Sequence, residues 1–344
     1  MSRSKGERAT LDAVAERAGV SKATASKVLN HRPGVSAATR QRVERAMSDL
    51  DYAPTTQVRE PRETATVTLV FDTLISLYSL RVLEGAIDEA KDDGVDLMTT
   101  TLLTEGREPV RLDPAWAESV AAKGHAGILV VTSRIHGDLV RACDRLGLAL
   151  VAVDPPNDPE PPVVSVGSHH WGGGRQATAH LLDLGHRRIA FVGGANTNLN
   201  LRERFAGYRE ALDAAGVALD PALVSHEGMG SAGRVALRML ERAGPRPTAI
   251  FATTDSDAFN VIRAVESLGL RVPRDVSVIG YDDTYAAVPT STELSTVRTP
   301  MREIGGLALR TLMGLVAGDQ PVSRQVKLAT GLVARETTAA PPAD

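Results

Sequence analysis

Residues 20–30, near the amino terminus, most restrict how this chain can fold. Ser21 is placed to cap a helix, because its side chain can accept from backbone N–H groups two or three residues further on. At about 100° per residue, the helix then has an apolar face and a basic face. The apolar face carries Ala25, Val28 and Leu29, and the other carries Lys22, Ala23, Ser26 and Lys27. The spacing predicts a short helix with one packed face and one face free to contact a partner.

The flanking segments predict two more short helices. Thr10 is a candidate N-cap for a helix that ends at Gly19, and Ser36 is a candidate cap for a third helix. Two short helices joined by a glycine turn describe a helix-turn-helix, whose second helix lies in the major groove of DNA. An ordinary helical hairpin with a solvated lysine face is the alternative that periodicity leaves open.

The distribution of charge favours the DNA-binding interpretation. The chain of 344 residues has a formal net charge of −3. Residues 1–64 hold 12 Lys and Arg against 8 Asp and Glu, a net charge of +4, whereas the remainder holds 27 against 34, a net charge of −7. Basic side chains are therefore concentrated where contact with phosphates is expected.

A long pattern in the first 54 residues resembles a known family. Its parts are Thr10-Leu11-x-x-Val14-Ala15-x-x-Ala18-Gly19-Val20-Ser21-x-x-Thr24-x-Ser26-x-Val28-Leu29-Asn30, Val35-Ser36-x-x-Thr39-Arg40-x-Arg42-Val43 and Leu50-Asp51-Tyr52-x-Pro54. This pattern resembles the headpiece of the lactose/galactose-repressor (LacI/GalR) family. The resemblance implies a homodimeric transcription regulator with two headpieces on a pseudo-palindromic operator in double-stranded DNA.

The resemblance also implies which headpiece residues contact DNA. Lys22 and Ala23 are expected at base edges, through guanine acceptors and a thymine methyl group respectively. Arginines of the headpiece are expected at phosphates. The full expected set is Thr10, Ser21, Lys22, Ala23, Thr24, Ser26, Lys27, Asn30, Arg32, Arg40, Arg42, Tyr52 and Arg59.

The polar segment 55–66 is expected to be a hinge linker. In the family this stretch becomes a short helix on operator binding, and a leucine from it enters the minor groove and kinks the DNA. Here Pro61 stands at the aligned position, and a proline restricts Glu60 away from helix. We therefore expect weaker operator bending than in relatives that carry the leucine.

From residue 67 onward, short apolar runs alternate with helical segments, a pattern typical of parallel α/β sheets. The expected strands are 67–71, 96–101, 127–131 and 149–153 in a first lobe, and 163–166, 188–193, 223–226, 249–253 and 276–280 in a second. The fold class is therefore α/β, with an N-terminal helix-turn-helix headpiece (1–54) and a two-lobed core (67–344) of doubly wound parallel sheets. The resemblance makes this core periplasmic-binding-protein-like. We place lobe 1 at about 67–162 and 297–323 and lobe 2 at about 163–294 and 326–337, with a ligand cleft between them.

The resemblance extends through the core and is strongest to the branch that senses xylo- or cello-oligosaccharides. It implies that Arg202 donates two hydrogen bonds to vicinal hydroxyls of a sugar, that Asp282 accepts hydrogen bonds from sugar hydroxyls and that Tyr78 stacks on the sugar. Asp255 either contacts the ligand or only caps the following helix, and Asp154 has the same ambiguity. The expected effector-binding set is Asp72, Ser76, Tyr78, Asp154, Arg202, Asp255, Asp282 and Thr299.

Other classes of protein are disfavoured. The sequence has no Gly-x-Ser-x-Gly motif, and its single Cys143 has no evident base. The run from His169 to Gly174 is interpreted as a strand-to-helix turn rather than a metal or phosphate site. No signal peptide and no run of about 18 apolar residues is evident. We expect a cytoplasmic protein that is not an enzyme, needs no cofactor or metal and has no contact with a membrane.

The identity of the effector, and whether it weakens or strengthens operator binding, stay open. Aromatic residues make up only 3% of the chain, so few rings can stack on a pyranose, and a non-sugar ligand is the alternative. Purine-type relatives use their ligand as a corepressor, whereas release by an inducer is the favoured expectation here. A stand-alone sugar-binding protein would not need a headpiece.

Overall fold

The computed structural model describes residues 11–29, 35–50, 65–74, 76–102, 110–194, 198–228, 230–284 and 293–342. The chain divides into two compact units, residues 1–63 and 64–344. The described part of the first unit holds three helices, and the second unit is an α/β core. Among the described residues, no helix is long and apolar enough to cross a membrane.

The headpiece consists of α1 (Leu11–Ala18), α2 (Lys22–Leu29) and α3 (Ala37–Asp49). Two of the three expected N-caps are confirmed, because Ser21 Oγ accepts from the Thr24 amide at 3.1 Å and Ser36 Oγ accepts from the Thr39 amide at 3.3 Å. The third, Thr10, lies outside the described residues. Gly19 closes the turn between α1 and α2 with φ of +63°, where a side chain would be strained. The three helices share one small core of Val14, Ala15, Ala18, Ala25, Val28, Val43 and Ala46.

The first lobe is built on a parallel sheet. Its strands are β1 (Thr66–Phe71), β2 (Asp96–Thr101), β3 (Gly127–Val131), β4 (Ala149–Val153), β5 (Val164–Ser168) and β10 (Gln325–Leu328). Within the described segments these six strands lie in the order β10-β5-β4-β3-β1-β2. One face packs against α4 (Leu77–Asp93) and α11 (Met301–Val316), and the other packs against α5 (Pro114–Ala122) and α6 (Gly137–Leu146). The sheet is thus covered on both faces, as parallel sheets require.

The second lobe has a smaller parallel sheet. Its strands are β6 (Ile189–Val192), β7 (Ala249–Ala252) and β8 (Ser277–Ile279). Beside β8 lies β9 (Thr296–Arg298), which pairs antiparallel with β11 (Gly331–Val333). One face is covered by α7 (His170–Asp183) and α8 (Leu199–Ala214), and the other by α9 (Ala232–Glu241) and α10 (Asp255–Ser267).

Three strands lie in a different lobe from the one expected. The strand near 163–166, expected in lobe 2, is β5 and pairs with β4 of lobe 1. Similarly, β10 pairs with β5 rather than with the second sheet, and β9 lies beside the second sheet although lobe 1 was expected to resume at residue 297. The expected strand at 223–226 is reduced to a bridge between Val224 and Phe191. The reason is that an apolar pattern predicts an extended segment, whereas its partner is chosen by long-range packing and hydrogen bonding.

In the described segments the chain therefore passes between the lobes at three places: between β5 and α7, between β9 and α11, and between β10 and β11. Ligands of open parallel sheets bind beyond the carboxyl ends of the strands. In this core the residues after β1, β4, β5 and β8 meet at that edge.

Candidate DNA-binding and effector-binding sites

Helix α2 has the exposed basic face that its sequence predicts. Lys22 and Lys27 are exposed on it, whereas Ala25 and Val28 are buried. Ser21 is exposed at the N-cap. Thr24 and Ser26 are half-buried on α2, which also carries Ala23, and α3 carries the half-buried Arg40 and the exposed Arg42. The other expected DNA contacts, Thr10, Asn30, Arg32, Tyr52 and Arg59, lie outside the described residues, as does Pro61 of the hinge linker.

A cavity of about 260 Å³ lies between the two lobes of the core. The structure brings five of the expected effector residues to its wall: Asp72, Ser76, Tyr78, Asp154 and Asp282. The rest of the lining is Thr73, Thr132, Pro156, His170, Asn198, Asn200, Leu201, Arg204 and Thr254. Arg202, Asp255 and Thr299 do not line it.

Asp154 has its carboxylate oxygens occupied by protein donors. Oδ1 accepts from the Ser168 amide and from His170 Nε2, both at 3.0 Å, and Oδ2 accepts from Tyr78 Oη at 2.5 Å and from Ser168 Oγ at 3.4 Å. Burial opposes ionisation, but His170 and these hydrogen bonds outweigh it and lower the pKa of Asp154. Asp154 therefore organises the wall of the cavity, and it holds the hydroxyl of Tyr78, whose own pKa is raised by burial and by Asp154.

The arginine of the cavity is Arg204, so the choice of Arg202 is corrected. Arg202 is exposed, whereas Arg204 is 5% exposed and lines the cavity. Two residues along a helix turn the side chain by about 200°, so the two point to nearly opposite faces. The helical spacing of α8 could have identified Arg204 from the sequence, because Arg204 lies four residues before the buried Tyr208 and therefore on the same face of the helix.

Arg204 is held on several sides. Its Nε donates to His170 Nδ1 at 3.2 Å, Nη1 donates to the carbonyl of Thr253, and Nη2 lies 3.3 Å from Oδ1 of Asp282. The guanidinium carbon lies 3.6 Å from the ring centroid of Tyr281, a cation–π arrangement. These contacts orient a planar donor group at the cavity.

Asp282 and Asp72 supply carboxylates to the cavity from opposite lobes. Asp282 has φ of +106° and accepts from Arg204 and, at 3.5 Å, from Thr299 Oγ1. Asp72 Oδ1 accepts from the Thr73 amide at 2.7 Å and from Thr132 Oγ1 at 3.3 Å. Burial raises the pKa of both, against the opposing effects of Arg204 on Asp282 and of the Thr73 hydrogen bond on Asp72. Within the described residues, Oδ2 of neither carboxylate has a hydrogen-bond partner, which leaves acceptors for a ligand.

Asp255 lies behind the cavity. It accepts from Thr296 Oγ1 at 2.5 Å and from the amide and hydroxyl of Thr284 at 2.7 and 3.1 Å. The cap of α10 is Thr254, which accepts from the Asp257 amide, so the alternative that Asp255 caps this helix is wrong. Burial, followed by the nearby charge of Asp282, raises the pKa of Asp255 to about 7. Asp255 supports the backbone around Asp282.

His170 lines the cavity and was not among the expected effector residues. It is the first residue of α7 and follows β5 closely, which confirms the interpretation of this run as a strand-to-helix turn. Its ring is hydrogen-bonded both to Asp154 and to Arg204. The sequence offered no signal for this role, because the three side chains come from distant parts of the chain.

A capped helix-turn-helix with an exposed basic recognition helix, and a two-lobed core with a polar cleft, together define a DNA-binding regulator with a ligand-binding core. Residues 10–55 match the family described as bacterial regulatory proteins, lacI family, and residues 178–338 match the periplasmic binding protein-like domain. The chain belongs to the LacI family of transcriptional regulators. It is a DNA-binding regulator and not an enzyme.

Full-length relatives support this assignment. The HTH-type transcriptional regulator CelR of Thermobifida fusca is 32% identical over 96% of this chain and 98% of its own length. The transcriptional repressor PurR of Photobacterium profundum is 31% identical over 96% of this chain and 98% of its own length.

Solved structures also match over almost the whole chain. The complex of CelR with cellobiose has a TM-score of 0.70 at 32% identity and covers 96% of this chain and 100% of that one. The lac repressor dimer, bound to operator and the anti-inducer ONPF, has a TM-score of 0.72 at 27% identity and covers 97% and 100%.

Proposed function

We propose that this chain is a cytoplasmic, homodimeric repressor of carbohydrate-utilisation genes that is released from its operator by a sugar. Two headpieces bind the two halves of a pseudo-palindromic operator, with α2 of each in the major groove. The observation that carries the effector part of this proposal is the pairing of Arg204 with Asp282 at the wall of the cavity.

This pairing suits neighbouring hydroxyl groups. A hydroxyl donates one hydrogen bond and accepts others, so it can accept from a guanidinium and donate to a carboxylate at once. Arg204 supplies a rigid planar set of donors, and Asp282 and Asp72 supply acceptors from the two lobes. A ligand with hydroxyls along its length would satisfy both lobes together.

The size of the cavity favours a compact ligand. Its volume of about 260 Å³ lies just below the range of about 300–1,000 Å³ usual for small-molecule sites. Among the described residues of the lining, the aromatic side chains are Tyr78 and His170, and one ring is enough to contact one face of a sugar. The likeness to the CelR complex with cellobiose supports a sugar of this scale, and the lac repressor dimer on its operator supports the dimer.

The regulatory step follows from linkage. A ligand that contacts both lobes favours one relative arrangement of the lobes over another. Operator affinity then changes by an amount set by the difference between the ligand's affinities for the two arrangements. The three chain crossings beside the cleft are where that change in geometry is accommodated.

The first test is a binding screen with cellobiose, glucose, xylose and hypoxanthine, read as a thermal shift of the full-length protein. A ligand at 100 times its Kd adds about 2.7 kcal/mol to the unfolding free energy. We expect a shift with a sugar, its loss in Arg204→Lys and Asp72→Asn, and its retention in the matched control Arg202→Lys, which alters an exposed residue two positions from Arg204.

The second test is operator release. Duplexes selected from random-sequence DNA by the protein serve as the probe, and fluorescence anisotropy reports binding. We expect the sugar that binds to weaken operator affinity. Tighter operator binding in the presence of the sugar would mean that the sugar acts as a corepressor and not as an inducer. A thermal shift with hypoxanthine alone would overturn the sugar proposal in favour of the non-sugar alternative.

A further inference from the structure

His170 occupies the point where the chain leaves the first sheet and enters the second lobe. It begins α7 after β5 and is 2% exposed. One neighbour, Asp154, stands at the end of β4 in the first lobe, and the other, Arg204, stands on α8 in the second. The imidazole therefore connects the two lobes directly beside the cavity.

The two neighbours assign the tautomer of this ring. Arg204 Nε lies 3.2 Å from Nδ1, and an arginine N–H can only donate, so Nδ1 must accept. The proton of a neutral ring then sits on Nε2, which lies 3.0 Å from Asp154 Oδ1 and donates to it. Ser168 Oγ lies 3.2 and 3.3 Å from the two ring nitrogens and also contacts Asp154. The arrangement is complete only while the imidazole is neutral.

We propose that His170 is a positioning residue for effector binding. As a neutral imidazole it holds the guanidinium of Arg204 towards the cleft and connects it to Asp154, so protonation of His170 weakens the binding of the effector. This inference rests on the proposed function of the cavity. A second proton on Nδ1 would set an N–H against the Nε–H of Arg204 and would place two cations side by side. Either Arg204 or His170 must then move, and the donor group presented to the ligand loses its orientation.

Charged groups act on His170 from every element around it. Asp154 lies at Nε2 of the ring and Arg204 at Nδ1, and Asp282 pairs with Arg204. The ring of Tyr281 lies 6.2 Å away. A neighbouring cavity that His170 also lines adds Asp158, Glu203 and Lys327, of which the last two form an ion pair at 2.5 Å.

The first experiment needs no effector. Long-range ¹H–¹⁵N spectra of the ligand-free protein report the tautomer of each of its 8 histidines, and His170→Gln identifies the signal of His170. We expect the neutral Nε2–H form at pH 8 and conversion to imidazolium on acidification, with the Nε–H signal of Arg204 broadening in step. A ring protonated on Nδ1, or an Arg204 signal indifferent to the state of His170, would overturn the inference even where no sugar binds.

The second experiment measures the Kd of cellobiose by calorimetry at pH 8 and pH 5.5. A glutamine amide can donate to Asp154 and accept from Arg204 but does not titrate, whereas leucine does neither. We expect binding by the wild type to weaken about tenfold at pH 5.5, His170→Gln to stay within about threefold of the wild type at pH 8, and His170→Leu to bind about tenfold more weakly at both values.

The glutamine variant also separates His170 from Asp255, whose pKa of about 7 lies between the two pH values compared. The pH dependence that disappears in His170→Gln belongs to His170, and what persists belongs to other groups. The matched control is His169→Gln, which changes the exposed neighbouring histidine and is expected to keep the wild-type pH dependence. Equal pH dependence in wild type and His170→Gln, or wild-type affinity in His170→Leu, would refute the role. Absence of cellobiose binding to the wild type would count against the sugar and leave the spectra to decide on His170.

Discussion

The hydroxyl of Tyr78 donates to Oδ2 of Asp154 over 2.5 Å and joins the first turn of α4 to the carboxyl end of β4. Asp154 in turn accepts from His170 of the second lobe, so a first-lobe tyrosine stabilises the contact between lobes. A hydrogen bond to an ionised carboxylate is stronger than one between neutral groups, so loss of this bond should be costly.

Removal of this hydroxyl should cost more than removal of a comparable neutral one. Tyr78→Phe is expected to lower the unfolding free energy by about 1.5–3 kcal/mol because its acceptor is charged. The matched variant is Tyr208→Phe, whose hydroxyl donates to the carbonyl of Ile189 at 2.9 Å and whose loss should cost about 0.5–1.5 kcal/mol. Urea unfolding at pH 7.5 measures both. A larger loss of unfolding free energy for Tyr208→Phe would show that the negative charge of Asp154 does not strengthen its hydrogen bond with Tyr78.

Asp255 should make the core less stable as the pH rises. Its pKa is raised from 3.8 to about 7, first by burial and then by Asp282, so the folded state binds more protons than the unfolded state between these values. Stability therefore falls as the pH rises through that window and levels off above about pH 7. The difference between 3.8 and about 7 corresponds to an upper limit of about 4 kcal/mol.

Asp255→Asn removes this titration. Urea unfolding between pH 4.5 and pH 8 should give a flatter profile for the variant than for the wild type, with the largest relative gain at pH 8. The exposed Asp49→Asn in the headpiece is the control and should leave the profile unchanged. Parallel profiles for Asp255→Asn and the wild type would contradict the raised pKa.

Two adjacent glycines of α11 should respond oppositely to alanine. A Cβ on Gly305 would lie 2.0 Å from the carbonyl oxygen of Val82 in α4, whereas a Cβ on Gly306 would lie 3.4 Å from that of Gly85. We expect Gly305→Ala to lower the unfolding free energy by about 1–3 kcal/mol through forced separation of the two helices. Gly306→Ala should be neutral or stabilising by up to about 1 kcal/mol, because alanine favours helix. Thermal unfolding of both variants measures this, and equal melting temperatures would refute the close α4–α11 contact.

Lys22 and Arg42 should affect DNA binding differently. Lys22 is exposed at the start of α2 and Arg42 is exposed on α3. We expect Lys22→Ala to relax the base preference at one symmetric position of the selected operator, at a cost of about 1–3 kcal/mol in binding free energy. We expect Arg42→Ala to weaken binding to all DNA sequences alike and to reduce the salt dependence of binding. Selection from random DNA, followed by anisotropy at several salt concentrations, separates the two effects. Lys91→Ala in the core is the control, and a uniform loss in Lys22→Ala would place Lys22 at a phosphate.

The sequence by itself determined the headpiece and most elements of the core. Ser21 and Ser36 cap helices because a hydroxyl followed three residues later by a backbone N–H is a local arrangement. The strands Gly127–Val131 and Ala149–Val153 have the expected bounds, since continuous apolar runs are needed where both faces are covered. The edge strand Asp96–Thr101 also has the expected bounds, although it is polar and largely exposed. Asp72, Ser76, Tyr78 and Asp282 reach the cavity as the resemblance implied.

The tertiary structure alone decided which lobe β5, β9 and β10 belong to, and that Arg204 rather than Arg202 reaches the cavity. It also decided that Asp255 lies behind the wall and that His170 joins Asp154 to Arg204. The physical reason is common to these cases. Caps and apolar periodicity depend on neighbours a few residues apart, whereas strand partners, the inward face of a helix and the tautomer of a histidine depend on groups brought together from distant parts of the chain.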